Sequence, residues 1–443
     1  MNDPTPDRGR ARFPWLGVAL FVLALAAAAL GGFAWHYSDL ILDPRSSSTL
    51  HEQRVLAAGP DWVRLSRDHE SLEPGTWALQ WEEGYGRIER VRSADDSSVV
   101  REFHPVVGRP PVGGWASLRG VSRSADPRSM LGIAFDTVAV EGPLGSYPAW
   151  FVPGRGSTWV LFVHGRGANR AEGLRTLGVL AQRELPGLMV TYRNDAGAPA
   201  SRDGFTHLGL TEWQDLEAAA RWALGHGARD LVLCGYSMGG QIVMQFLSRS
   251  RWAASVRAVV LESPVLSWDA TFERRAQVLG VPPLMTWLGE RVATARAGLD
   301  WGALDRVART PRAGPPILVL HGVKDSFAPE PVSEAFARAL PERVTLVRVA
   351  SGNHVEAWNA DPAAYAAALG RWLDAHGIGA RRAVMPRLRR RPVRGSKRGG
   401  RSRRRRAGAG ERRACGPSCL RLREARQLEA EPRSERHVSH DRP

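Results

Sequence analysis

From residue 131 onward the chain alternates short unbroken apolar runs with longer stretches of helical periodicity. Runs of four to eight apolar residues read as strands buried on both faces, and the intervening amphipathic stretches as the helices that cover them. Strands are predicted at Ile133–Val140, Ala149–Val152, Trp159–Val163, Leu188–Tyr192, Leu231–Cys234, Ala258–Leu261, Ile317–Leu320 and Val344–Val349. Helices are predicted at Leu174–Glu184, Thr211–Leu224, Gly240–Ser248, Pro331–Ala339 and Pro362–His376, the second opening on a Thr-x-x-Gln capping box. The fold class expected for residues 131–378 is therefore α/β, a mostly parallel central sheet with helices on both faces. The interval 264–311 is too long for a simple connection. It is predicted as a short helical lid whose Trp268, Phe272, Trp287, Leu288 and Trp301 offer apolar surface.

Ahead of this body, residues 43–130 are punctuated by Pro and Gly and carry alternating stretches at Thr76–Trp81 and Arg87–Val91, the mark of half-buried strands. A small β-rich preface is expected there, without evident chemistry. Further upstream, Leu16 to Ala34 holds no charged or strongly polar side chain, long enough to cross a bilayer as a helix. Residues 14–37 are read as a transmembrane anchor. Arg8, Arg10 and Arg12 make residues 1–13 a basic N-terminus, and only Arg45 follows closely, so the positive-inside bias keeps the N-terminus cytoplasmic and the body of the chain outside. The alternative is a signal peptide cleaved at Gly32-Phe33-Ala34, releasing a secreted protein; the apolar run is long for that purpose. No cysteine follows the run, which excludes a lipoprotein anchor.

Charge changes the picture only at the far end. The net charge is +16, and residues 381–443 hold 22 of the 61 basic and 6 of the 45 acidic residues, so everything before them is balanced. Nucleic acid is therefore not an expected partner of the fold. The segment 379–443, Arg/Gly/Pro-rich with Arg403 to Arg406 in a row, is expected to be a disordered, solvated tail; binding of phosphates or anionic lipid is its alternative reading. Three cysteines do not make a disulfide framework. Cys234 reads as a buried inert thiol, and the lone Cys415-x-x-x-Cys419 lacks the partners of a zinc site.

The densest chemical signal is Leu231-Val-Leu-Cys-Gly235-Tyr-Ser237-Met-Gly239-Gly240, a strand running into G-x-S-x-G and then a helix. A serine on a sharp strand-to-helix turn needs neighbours without bulk two positions away, and Gly235 and Gly239 supply them. A serine also needs a base, and the base an orienting acid. Ile317-Leu-Val-Leu-His-Gly-Val-Lys-Asp325 ends a strand with a carboxylate, and the strand from Val344 is followed by His354. Catalytic groups in open α/β sheets gather at carboxyl ends of strands, so Ser237, Asp325 and His354 form the candidate triad. Glu262 and Asp269 are alternative acids, less well placed than Asp325. Trp159-Val-Leu-Phe-Val-His164-Gly165-Arg166-Gly167 ends another strand in a glycine-rich turn. The N–H groups of Met238 and Arg166 are the candidate oxyanion donors. His164 reads as a turn-stabilising residue, and Tyr192-Arg193-Asn194-Asp195 as ordinary loop structure with the border of an acyl pocket as the alternative. Asp203, His207 and Asp215 assemble no metal site by spacing.

On the elbow, the His-Gly-x-Gly turn, the His-Gly-x-x-Asp strand end and the late histidine, residues from about Leu131 to His376 resemble the α/β-hydrolase superfamily, especially its bacterial esterase and prolyl-oligopeptidase-like branches. The resemblance implies the α/β-hydrolase fold, hydrolysis of a small-molecule or lipid carboxylic ester through an acyl-enzyme, and no cofactor. A peptidase on the same triad, or a non-catalytic membrane-anchored binding protein, are the alternatives. The preface, the lid and the tail lie outside it.

Overall fold

The computed structural model describes residues 14–45 and 51–379. The basic residues Arg8, Arg10 and Arg12, the pair Cys415 and Cys419 and the Arg-rich segment lie outside them. Helix α1 (Pro14–Leu42) leads into six strands, β1 (His51–Ala58), β2 (Trp62–Ser66), β3 (Trp77–Trp81), β4 (Gly84–Ala94), β5 (Ser98–Val107) and β6 (Trp115–Arg119), with a short α2 (His69–Leu72) after β2. The six close into an antiparallel barrel in the order β1-β2-β5-β4-β3-β6. Alternation places Trp77, Leu79 and Trp81 inward from β3, against Val55, Leu65, Ile88 and Phe103. Closure leaves no open sheet edge to pair with another strand. Arg101 is fully buried and satisfied, donating to the carbonyls of Ser71, Glu73, Gly75 and Glu89.

After α3 (Pro127–Leu131) the second sheet begins. Its strands are β7 (Asp136–Gly142), β8 (Gly145–Val152), β9 (Thr158–Val163), β10 (Gly187–Met189), β11 (Asp230–Tyr236), β12 (Val256–Glu262), β13 (Ile317–Gly322) and β14 (Val344–Val349). They lie in the order β14-β13-β12-β11-β9-β10-β8-β7; β8 runs antiparallel to both neighbours and the other pairings are parallel. The remaining helices are α4 (Leu174–Ala181), α5 (Trp213–Gly225), α6 (Met238–Arg249), α7 (Trp268–Leu279), α8 (Pro283–Ala297), α9 (Trp301–Leu304), α10 (Glu330–Ala339), α11 (Ala357–Ala360) and α12 (Pro362–Ala375). Successive strand residues point to opposite faces: Leu161, Leu233, Val259 and Val319 pack with α5, α6 and α10, while Phe162, Cys234, Val260 and Leu318 pack with α4 and α12.

Three local expectations need correction. The first strand begins at Asp136 rather than Ile133, because α3 ends on left-handed Gly132 and the chain needs the next residues to turn into the sheet. Strand β10 stops at Met189 rather than Tyr192, since the Tyr192 N–H is taken by the Asp195 carboxylate. Helix α5 starts at Trp213, and no capping box forms at Thr211. The buried Glu212 carboxylate competes successfully there, accepting from the N–H groups of His207 and Gly209 and the Thr206 hydroxyl.

The five aromatic and aliphatic residues of 264–311 do not share one face. Trp268 and Phe272 are buried in the core and stacked at 5.1 Å, Trp301 meets Phe272 edge-on at 6.0 Å, and Trp287 is 50% exposed. Helix α1 is also divided. Its N-terminal part is exposed, whereas Ala34, Tyr37, Ser38, Ile41 and Leu42 are buried against the body, alongside α8.

Candidate active site

Strand β11 delivers Ser237 at φ 51° and ψ −119°, a left-handed conformation that a non-glycine residue adopts only under constraint. The constraint is visible on both sides. A Cβ at Gly235 would approach the Gly239 carbonyl oxygen at 2.7 Å, and one at Gly239 would collide with the Val163 carbonyl. The turn is therefore closed only by glycine, and the Ser237 N–H is held on the Glu262 carbonyl at 3.1 Å. Helix α6 starts at the next residue, so the Met238 N–H lies in its unpaired first turn at the positive end of the helix dipole.

Three strand ends converge on the serine. His354 Nε2 lies 2.9 Å from Ser237 Oγ, and His354 Nδ1 lies 2.8 Å from Asp325 Oδ2 and 3.1 Å from Oδ1. Asp325 is buried and also accepts from the N–H groups of Phe327 and Ala328, at 2.9 and 2.8 Å. Burial pushes the Asp325 carboxyl up, but the His354 charge and the His321 and His354 hydrogen bonds outweigh it and hold the group below the ordinary carboxylate range. The imidazole responds in the opposite sense. Burial pulls His354 down, yet the Asp325 charge and hydrogen bond raise it above the ordinary histidine value.

His321 was unassigned in the sequence beyond its place in His-Gly-x-x-Asp. Its Nε2 faces two acceptors, Asp325 Oδ2 and the Ala328 carbonyl, each at 3.1 Å, while Nδ1 meets the Ser333 hydroxyl at 2.8 Å. Since a carbonyl only accepts, Nε2 carries the proton and donates to Asp325. The turn bearing His354 is fixed similarly, with the Val355 N–H on Ser263 Oγ at 3.1 Å.

The glycine-rich turn after β9 passes over the elbow, with the Gly165 Cβ position 3.0 Å from Ser237 Cβ. The Glu172 carboxylate holds the Gly165 N–H at 2.7 Å, leaving the Arg166 N–H without a hydrogen-bond acceptor among the described residues. The Arg166 side chain donates to the carbonyls of Ile41, at 2.7 Å, and Leu40 at the end of α1, and lies 5.9 Å over Trp268. Burial lowers its pKa to about 10.

The other polar residues serve structure. His164 presents both ring nitrogens to acceptors, Gly165 O at 2.9 Å and Asp195 Oδ2 at 2.8 Å, and stacks on Tyr192. Arg193 is paired with buried Asp215, and Asp203 with His207. Glu262 accepts from the Ala357 N–H and the Tyr365 hydroxyl, and Asp269 lies on α7; neither meets His354. Burial raises both carboxyls. Glu89, Glu102 and His104 gather on the barrel, where Arg87 and Arg90 already pair with the two carboxylates.

Residues 160–368, from β9 into α12, match the sequence family described as "Alpha/beta hydrolase family". Over that span the chain carries a domain of the α/β-hydrolase superfamily. Residues 54–119, which make up most of the barrel, match a domain of unknown function, DUF8805. Among solved structures the hydrolase is similar to the esterase Pf2001 of Pyrococcus furiosus, at 18% identity and a TM-score of 0.46 over 57% of this chain and 94% of that one. A thermophilic esterase from Thermogutta terrifontis is similar at 20% identity and a TM-score of 0.41, covering 54% and 99% of the two chains. The esterase EaEST of Exiguobacterium antarcticum gives 18% identity and 0.41 over 54% and 100%. No curated protein matches the sequence.

Proposed function

We propose that this hydrolase cleaves carboxylic esters with Ser237 as nucleophile, His354 as general base and Asp325 as the acid that orients the base. The observation that carries this reading is the unbroken chain of contacts from Ser237 Oγ through His354 to Asp325, on a serine held at φ 51°. His354 takes the hydroxyl proton as Ser237 attacks the ester carbonyl, then passes it to the departing alkoxide. The N–H groups of Met238 and Arg166 stabilise the tetrahedral oxyanion, each donor being worth about 3 kcal/mol of barrier. Water, activated by the same imidazole, releases the acid from the acyl-enzyme. The steps use side chains, backbone N–H groups and water alone.

We read α1 as an uncleaved anchor, with the catalytic body on the outer side and the segment 264–311 as the lid over the acyl site. Two exposed tryptophans, Trp15 and Trp35, bracket the apolar stretch. Twenty residues of helix separate them by about 30 Å, the thickness of a hydrocarbon core. The potential cleavage site Gly32-Phe33-Ala34 lies within the helix, with Ala34 buried.

Ser237→Ala tests the central assignment. Turnover of p-nitrophenyl esters and labelling by a fluorophosphonate are both expected to vanish, with the melting temperature retained. Full activity in that variant would remove the serine from the mechanism. Prolyl and aminoacyl amides in the same panel are expected to be poor substrates beside the esters.

A further inference from the structure

The segment between α7 and α8 ends in a surface that the catalytic reading does not use. Val278, Leu279, Leu284 and Trp287 are 48%, 56%, 58% and 50% exposed, around a Gly-Val-Pro-Pro turn. Four large apolar side chains clustered on a loop tip are an interaction surface rather than scattered exposure. Its position relative to α1 identifies the partner.

Helices α1 and α8 run side by side in the same direction. Gly289 is the contact that lets them approach, since a Cβ there would strike the Tyr37 ring. Further along both helices, Arg296 meets Asp39 at 2.7 Å and also reaches Ser38. Both C-terminal ends arrive at the same place: α1 delivers the Leu40 and Ile41 carbonyls to Arg166, while α8 leads to Trp301, which packs through Phe272 onto Trp268 beneath Arg166. Their N-terminal ends therefore also point the same way. With Gly289 level with Tyr37, Leu284 lies about 8 Å closer to the N-terminal end, level with roughly residue 32 of α1. That level falls within the apolar run Leu16–Ala34. The Val278–Trp287 tip thus stands beside α1 at the depth where the chain enters lipid.

The polar residues at the tip fit the same partner. Arg291 is exposed there, and its guanidinium lies 5.4 Å over the Trp287 ring. Trp35, exposed on α1, is covered by Arg296 at 4.2 Å. Tryptophan and arginine beside an apolar tip match the headgroup boundary, where an indole lies between acyl chains and water and a cation meets phosphate.

We propose that the Val278–Trp287 tip docks into the headgroup and acyl boundary of the bilayer that α1 spans, and that the enzyme draws lipophilic esters directly from that membrane. This rests on the ester-hydrolase reading and on α1 as the anchor. It goes beyond both by making the tip a second membrane contact and by fixing the source of the substrate.

The full chain reconstituted in phosphatidylcholine vesicles containing a share of phosphatidylglycerol tests it. First, co-flotation with the vesicles is expected; a chain left in the aqueous fraction would overturn the anchor and this proposal together. Second, emission is compared between wild type and Trp287→Phe in vesicles with and without bromine-labelled acyl chains. The emission assigned to Trp287 by difference is expected to fall by about half or more, and unquenched difference emission would overturn tip docking. Third, a Leu279→Ser, Leu284→Ser double variant is expected to hydrolyse a long-chain ester embedded in the vesicles at least about fivefold more slowly, with a soluble short-chain ester changed by less than about twofold. Equal rates for variant and wild type on the embedded ester would overturn delivery from the membrane. Because the quenching needs no turnover, a quenched but inactive enzyme refutes the esterase reading alone, and an active enzyme with unquenched Trp287 refutes docking alone.

Discussion

Asp325→Asn separates the electrostatic role of the acid from its place in the fold. In the wild type one carboxylate oxygen accepts from the Phe327 and Ala328 N–H groups, and the other from His354 Nδ1 and His321 Nε2. An asparagine oxygen can keep the two backbone bonds, so the turn is preserved. Its amide then points N–H groups at two imidazoles that themselves donate. His354 can relieve that clash only by moving its proton to Nε2, where it faces Ser237 Oγ, 2.9 Å away, and can no longer accept the hydroxyl proton. The expected loss in kcat is about 10⁴-fold, close to 5.5 kcal/mol of barrier, with KM nearly unchanged. The pH profile supplies a second readout. Asp325 raises the His354 pKa, and the base must be neutral, so wild-type activity is expected to rise with pH through a midpoint above the ordinary histidine value. The residual activity of the variant should titrate at lower pH. Stability shifts in a related way. A depressed carboxyl stabilises the fold above its ordinary pKa and loses that contribution as pH falls through its folded value, so the variant should lack this part of the acid transition. Stopped-flow ester hydrolysis across pH, with circular dichroism to verify the fold, decides the matter; a kcat within tenfold of wild type and an unmoved midpoint would refute this reasoning.

Arg166→Ala keeps the backbone N–H but removes the bonds to the Ile41 and Leu40 carbonyls, so the turn proposed to bind the oxyanion loses its tether to α1. A fall in kcat of about tenfold with little change in KM is expected on a soluble ester, and an unaltered kcat would show that the turn is rigid without it. Asp215→Asn strips the counter-charge from buried Arg193, which donates to both carboxylate oxygens at 2.8 and 2.9 Å. Urea unfolding should report a loss of about 3–5 kcal/mol, and a loss below about 1 kcal/mol would mean that water reaches the guanidinium.

The elbow was legible because its constraint is local: a serine that must adopt left-handed geometry announces itself through Gly235 and Gly239. The approach of Asp325 and His354 was legible for a different reason, since Asp325 follows an apolar run that forms a fully buried strand and His354 follows the Val-rich run that forms the edge strand beside it. The barrel was not legible as a barrel. Its closure depends on β1 pairing with both β2 and β6, a long-range choice that Thr76–Trp81 and Arg87–Val91 cannot express alone. Helix α1 concealed its buried end because an apolar helix looks alike on every side; Tyr37, Ile41 and Leu42 face protein while Leu20 and Leu25 do not. The residues of 264–311 expected to form a lid divided between core and surface because a run of aromatic residues indicates what a segment can bury, not which neighbour it meets. The support that His321 gives Asp325 depended on tautomer and geometry, which no spacing carries.

Asn359 gives the barrel a bearing on chemistry that its own residues do not reveal. Its side-chain amide donates to the carbonyls of Thr76 and Gly120, its backbone carbonyl accepts from the Thr76 N–H, and Arg175 holds both its side-chain oxygen and the Val355 carbonyl. One buried carboxamide, five positions beyond the imidazole, thus fastens the front module to the loop that aims it. Excising the barrel would leave those amide hydrogens bare at a newly opened surface and slacken the hinge of the base, so the two modules are expected to travel as an inseparable pair.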